Sequence, residues 1–241
     1  MTRMSPMTTA EQDAYTRGRG SFANGDVDEA LETLSWLLES RSDFADVHYM
    51  VGVLRDRQGD DAGATESLRN ALRLNPAYTE ALLALASVHE RRGEFDRSRE
   101  YAERAASSSR RDGRSLDPTT RGKLANLQAA VADAYAQVSE LREAIEGYRK
   151  ALDLCPEFHD IRQRLGAALR EAGLPDKALA EFQRILRVKP DLLGARVQLG
   201  LTYYTLGRTP DACREWEAVL GEDPANQSAK MYLRMVGTPR R

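Results

Sequence analysis

The chain has 241 residues, 41% of them hydrophobic and 30% charged, and a net charge of −2. That length suits one large domain or two small ones, and the composition excludes an intrinsically disordered chain. The near-neutral balance also excludes a global field that would draw the whole molecule to nucleic acid or acidic lipid.

Two cysteines, Cys155 and Cys213, lie far apart in sequence. A chain of this size needs no disulfide staples, so they point to a reducing compartment. The start, MTRMSPMTTAEQD, lacks the apolar run of a signal peptide. No stretch approaches the roughly 18 to 20 apolar residues of a membrane span. A cytoplasmic location is the expectation. Lysine supplies only five of the 35 basic residues, a skew expected of a GC-rich genome and hence of a bacterial source.

Along the chain the same residue types return every 34 positions. After a flexible start at 1–10, repeats fall near 11–44, 45–78 and 79–112. An insertion at 113–124 shifts the register, and further repeats follow near 125–158, 159–192 and 193–226. Each repeat reads as two helices. Position eight is Gly18, Gly52, Ala86, Ala132, Gly166 and Gly200, and position twenty is Ala30, Ala64, Ser98, Ala144, Ala178 and Ala212. Small residues at those two places let paired helices approach closely. Between them, position fifteen is Gly25, Gly59, Gly93, Ser139, Gly173 and Gly207, as a tight turn with positive φ demands. Pro76, Pro156, Pro190 and Pro224 close second helices.

The first repeat departs from the pattern, with Arg17 at the apolar seventh position and Ser42 where a proline belongs. Residues 107–117, SSSRRDGRSLD, read as a polar loop. Asp117 is a good N-cap and Pro118 suits the first helical position, so a longer helix is expected from there to about Gln137. Residues 226–236 read as one more amphipathic helix covering the last hairpin, and 237–241 as a flexible end.

These columns resemble the tetratricopeptide repeat: small residues at eight and twenty, a large one at twenty-four (Leu34, Leu68, Tyr148, Phe182, Trp216) and proline at thirty-two. Tyr135 and Tyr203 supply that family's aromatic at position eleven. The resemblance implies an all-α, right-handed solenoid of six hairpins plus a capping helix, one superhelical domain over 11–236. Neighbouring hairpins would share a core that no single hairpin can bury alone.

The search for chemistry finds little. The histidines His48, His89 and His159 fall at different positions of different repeats. Cys155 and His159 straddle Pro156, where a helix ends, and a buried thiol beside a surface imidazole is the plainer reading. No phosphate-binding glycine loop, HExxH or CxxC is present. Paired carboxylates such as Glu140 and Glu143 belong on helix exteriors. The chain is therefore expected not to be an enzyme and to use no cofactor or metal.

By resemblance, the first helices of successive hairpins line a concave groove and expose positions two, five, nine, twelve and thirteen. Toward the N-terminus these are apolar at Tyr49, Val53 and Leu83; in the middle they are polar, as at Asp133, Gln163 and Arg170. Toward the C-terminus Val197, Leu201 and Tyr204 share a helix face, with Met231 and Met235 expected opposite them on the capping helix. Such a strip suits an amphipathic helix or peptide of another protein, since methionine adapts its shape readily. Packing of the same residues against one another at the end of the solenoid is the alternative. Chaperone-binding members of the family grip a C-terminal carboxylate with a set of lysines, arginine and asparagines. The corresponding residues here include Glu80 and Asp133, which would repel it, so a co-chaperone of that type is not expected.

The expectation is a protein-binding adaptor. Two alternatives stand beside it: a self-associating scaffold, and an accessory subunit using a basic segment. That segment, Arg110, Arg111, Arg114, Arg121 and Lys123, could grip an acidic partner or phosphates, although a solvated insertion is the commoner meaning of such a run. No aromatic residue is interleaved for base stacking.

Overall fold

The computed structural model describes residues 6–111 and 117–237, with the side chains of 109–111 outside that description. Every regular element among the described residues is a helix. The chain divides into two compact units, Met1–Thr120 and Arg121–Arg241.

The N-terminal unit holds three hairpins: α1 (Thr9–Asn24) with α2 (Val27–Ser40), α3 (Ala45–Arg57) with α4 (Asp61–Leu74), and α5 (Thr79–Arg91) with α6 (Phe95–Arg111). α1 opens on a capping box. Thr8 Oγ1 accepts from the Glu11 N–H at 3.3 Å, and Glu11 Oε2 accepts from the Thr8 N–H at 2.7 Å. The C-terminal unit holds α7 (Pro118–Gln137), whose first turn precedes the boundary, with α8 (Leu141–Leu154), then α9 (His159–Glu171) with α10 (Pro175–Val188) and α11 (Leu193–Thr205) with α12 (Thr209–Glu222). α13 (Gln227–Gly237) packs on α12 and α11, in the place a further first helix would take.

Within a hairpin the approach is set by position eight against position twenty-four. A Cβ on Gly18 or Gly52 would meet the Leu34 or Leu68 side chain at 2.5 and 2.7 Å, and on Gly166 or Gly200 the Phe182 or Trp216 ring at 2.6 and 2.5 Å. The two hairpins with alanine at position eight compensate. Opposite Ala86 the twenty-fourth residue is only Ala102. Beside Ala132 stands Gly147, whose missing Cβ would lie 2.8 Å from the Ala132 methyl. At Gly200 the close approach also satisfies a donor: the buried Trp216 indole N–H reaches the Val197 carbonyl at 3.1 Å.

The turns share one conformation. Gly25, Gly59, Gly93, Gly173 and Gly207 have φ from 72 to 87°, and Ser139, at φ 63°, adopts it without being glycine. At the junctions between hairpins a second repeated device appears. Position four of a first helix reaches back six residues to the carbonyl at position thirty-two: His48 Nε2 to Ser42 O at 3.1 Å, Arg162 to Pro156 O at 2.7 Å, Arg196 to Pro190 O at 2.9 Å. Each arginine also bonds a glutamate at position twenty-three of its own hairpin, Arg162 to Glu181 at 2.8 Å and Arg196 to Glu215 at 3.3 Å. At the same position Gln128 has no such carbonyl, because the residue six before it lies inside the long α7; its Oε1 is buried without a partner.

The loop expected from residue 107 is corrected: α6 continues to Arg111. Ser107 bonds back to the Glu103 carbonyl of its own helix, so its hydroxyl is accommodated within the helix and does not end it. Residues 112–116 lie outside the described residues. Asp117 caps α7, its carboxylate accepting from the Thr119 and Thr120 N–H groups at 3.0 Å; the Thr120 hydroxyl first, then these backbone bonds, hold its carboxyl below the usual range.

Candidate functional site

The residues picked from the sequence as a C-terminal contact strip separate into two layers. Val197 is not a surface residue: it is 5% exposed and packs with Ala212, Trp216, Val219 and Ala229. Its burial follows from the α13 cap together with Trp216, which draws its indole under the helix. Leu201 and Tyr204 are half-buried at the margin of that cluster. Met231 and Met235, by contrast, are 55% and 44% exposed. They stand at positions five and nine of α13, the register of Val197 and Leu201 on α11. Tyr232 stacks on Trp216 at 5.1 Å, and Tyr204 lies tilted to the indole at 6.4 Å. α13 is thus fixed through Ala229, Tyr232 and Leu233 while its methionines are held outward.

Toward the middle the first helices carry charge. Arg164 is neutralised twice, by Asp133 at 2.7 Å and Asp160 at 2.8 Å. Asp133 also accepts from the Tyr148 hydroxyl at 2.6 Å; burial, then this bond, pushes that phenol well above its ordinary range. Arg170 differs. Its Nη1 donates to Gln198 Oε1 at 2.9 Å, Thr202 Oγ1 at 3.4 Å and the Gln198 carbonyl at 3.5 Å, all uncharged acceptors. Burial pushes this guanidinium down from its usual range, against Glu171 and Tyr232, whose charges act the other way.

In the N-terminal unit the candidate residues Tyr49, Val53 and Leu83 are half-buried, and Tyr49 and Leu83 belong to the margin of the hydrophobic core. Tyr49 packs on Tyr78 at 5.1 Å, and burial raises both phenols. Charges cover much of the rest of this face: Arg57 lies over Phe22 at 5.8 Å, Arg19 over Tyr15 at 5.4 Å, and Arg91 bridges Asp56 and Asp61.

The basic segment is divided. Arg114 and the side chains of Arg110 and Arg111 lie outside the described residues. Arg121 is half-buried with its Nε unpartnered, close enough to Cys155 to act on the thiol, whereas Lys123 is exposed. Burial, reinforced by Glu157, pushes Cys155 above the ordinary thiol range despite Arg121, which opposes thiolate chemistry there. The histidines have separate surroundings: His48 on the Ser42 carbonyl, His89 on Glu94 at 2.8 Å and against the Tyr101 ring, His159 beside an open cavity of about 360 Å³. Among the described residues no group of three or more His, Cys, Asp or Glu is placed to hold a metal ion, and no helix is long and apolar enough to cross a membrane.

Sequence reasoning missed the position-four arginines Arg162 and Arg196. The available signal was the joint recurrence of Arg at four and Glu at twenty-three in the last two repeats. It also passed over Arg170 as one polar residue among several, since the neutrality of its hydrogen-bond partners is a spatial property.

A sequence model described as tetratricopeptide repeat matches residues 15–67, 57–113 and 130–192. Human DnaJ homolog subfamily C member 7 is 28% identical over 102 residues, which is 42% of this chain and 21% of that protein. A probable biofilm formation methyltransferase, WspC of Pseudomonas putida, is 39% identical over 70 residues, 29% of this chain and 16% of that protein. The chain thus spans about a fifth or less of the length of these relatives. Among solved structures, YrrB, titled a TPR protein with an unusual peptide-binding site, superposes with a TM-score of 0.64 at 16% identity, covering 85% of this chain and all of the other. With the small-residue crossings, the positive-φ turns and the matched segments in agreement, the chain belongs to the tetratricopeptide repeat family.

Proposed function

We propose that this chain is a non-enzymatic adaptor that holds a peptide or amphipathic helix of another protein against the first-helix face of its C-terminal unit. The observation that carries the reading is the outward display of Met231 and Met235 on a helix anchored by other residues. Large apolar side chains that the core does not use mark contact surfaces, and methionine adapts to varied partners. Leu201 and Tyr204 extend the surface onto α11, and Val197 supports it from behind. Repeats of this family are in general protein-interaction modules, which agrees with a role in contact and not in catalysis. Tyr49, Val53 and Leu83 form a lesser candidate surface, because the N-terminal core takes up much of their area.

The test compares capture of proteins from native lysate by the wild-type chain and by a Met231→Gln, Met235→Gln variant. Glutamine keeps side-chain length and helix propensity, so circular dichroism should be unchanged. A partner held through this surface is expected to weaken by tenfold or more, since each buried methionine contributes about 1.5–3 kcal/mol. Equal retention by both chains moves the site elsewhere. A second copy of the chain as the captured partner would convert the adaptor into a self-associating scaffold, which a concentration-dependent mass would reveal.

A further inference from the structure

Arg170 differs from the first-helix arginines Arg164 and Arg91 in the charge of its partners. Arg164 and Arg91 each touch two carboxylates. The Arg170 guanidinium is half-buried, and its hydrogen bonds among the described residues all run from Nη1 to the neutral oxygens of Gln198 and Thr202. Its Nε and Nη2 carry no hydrogen bond, and neither is among the buried unpartnered atoms, so this edge of the fork opens to solvent. That edge presents two parallel N–H groups, the geometry that a carboxylate accepts in a bidentate pair. Gln198 and Thr202 hold the fork in place beforehand, which lowers the ordering cost of binding.

The apolar surface adjoins it. Thr202 follows Leu201 on α11, and Tyr232, whose phenol is near enough to act electrostatically on Arg170, follows Met231 on α13. A cation whose hydrogen bonds all go to neutral oxygens, with the Glu171 charge acting on it without a hydrogen bond, thus lies on the helix pair that also carries the half-buried Leu201 and the exposed Met231.

Resting on the adaptor reading above, we infer that the partner segment is an amphipathic helix carrying an internal aspartate or glutamate, which pairs with Arg170 within about one turn of the apolar residues that cover Leu201 and Met231. Desolvation makes a half-buried cation without a hydrogen-bonded carboxylate unfavourable, and an acid from the partner relieves it while fixing the helix in register. Partners with glutamine or lysine at that place are discriminated against, because they leave the guanidinium uncompensated or repelled.

The test is selection from a displayed library of random peptides of about 16 residues, four helical turns, fused through their C-termini so that no free end is available. Wild-type chain is expected to enrich sequences with Asp or Glu within one turn of two large apolar residues. Synthetic copies should lose about tenfold or more in affinity on Arg170→Gln, recover part of it with Arg170→Lys, and lose a comparable amount on Met231→Gln, Met235→Gln. Peptides that weaken on the methionine substitutions but bind Arg170→Gln undiminished overturn this inference and leave the adaptor surface standing. Peptides indifferent to the methionine substitutions, or no enrichment at all, overturn both. Binding that appears only in a second library with free C-termini overturns the internal acid in favour of a chain end.

Discussion

A Cβ added to Gly166 would stand 2.6 Å from Cζ of Phe182, inside the ring's van der Waals surface. The same relationship, Gly200 with Trp216, brings an indole N–H to a helix carbonyl. In the four hairpins with glycine at position eight, the large residue at position twenty-four fills the space that glycine leaves, so neither can be read alone.

Gly166→Ala is therefore expected to destabilise the protein by about 1–3 kcal/mol through forced displacement of the Phe182 ring. Gly20→Ala is its control. That glycine lies within α1, a Cβ there meets nothing within 4 Å, and the change should stabilise by up to about 1 kcal/mol through helix propensity. Urea unfolding of both variants checks the pair, and destabilisation by Gly20→Ala would refute the packing argument.

Ser139 is a non-glycine residue with φ 63°, in a column otherwise filled by glycine. Ser139→Gly should stabilise by about 1 kcal/mol, the cost of left-handed backbone for an ordinary residue, less the entropy lost with glycine. Thermal unfolding should shift upward; no shift would mean the surrounding turn already compensates.

Arg162 and Glu181 form an ion pair whose side chains are 9% and 18% exposed, and the arginine also bonds the Pro156 carbonyl. Arg162→Met should cost about 2–4 kcal/mol, mostly from the partners left unpaired, and adding Glu181→Met should restore part of the loss. The Arg196–Glu215 pair is longer at 3.3 Å and more exposed, at 23% for each side chain. Arg196→Met should therefore cost less. A double-mutant cycle at each pair measures the coupling, and a larger value at Arg196 would contradict this ranking.

His48 is buried, and burial lowers its pKa below the ordinary value of about 6.5 although the Ser42 carbonyl favours the charged ring and Arg73 opposes it. The unfolded chain then takes up a proton before the folded one does. Stability from this group is complete above about pH 6.5 and is lost as the pH falls toward the lowered folded value. His48→Gln should flatten that segment of the stability–pH curve between about pH 7 and 5, read by urea midpoints. An unchanged slope would place the proton uptake elsewhere.

The candidate surface was only partly legible in the sequence. Register placed Met231 and Met235 with Leu201, but it assigned Val197 to the same layer, and Val197 is 5% exposed. Position five is open in a first helix only where no neighbouring side chains cover it, and here Trp216 and the residues around Ala229 do. The end of α6 was misjudged: serine and arginine read as loop residues, yet five more residues, 107–111, continue the helix.

What the sequence determined by itself was the periodic part of the molecule. Steric rules that act within one hairpin, small against large at the crossing and positive φ at the turn, leave their mark at a fixed spacing and need no knowledge of distant residues. The helix start at Pro118 was legible for the same reason, because Asp117 caps it locally. Tertiary structure alone decided which apolar residues face outward, which arginines are left with neutral partners, and where position four finds its carbonyl. Those outcomes depend on what neighbouring helices bring close, and burial and charge compensation are properties of that surrounding and not of the residue.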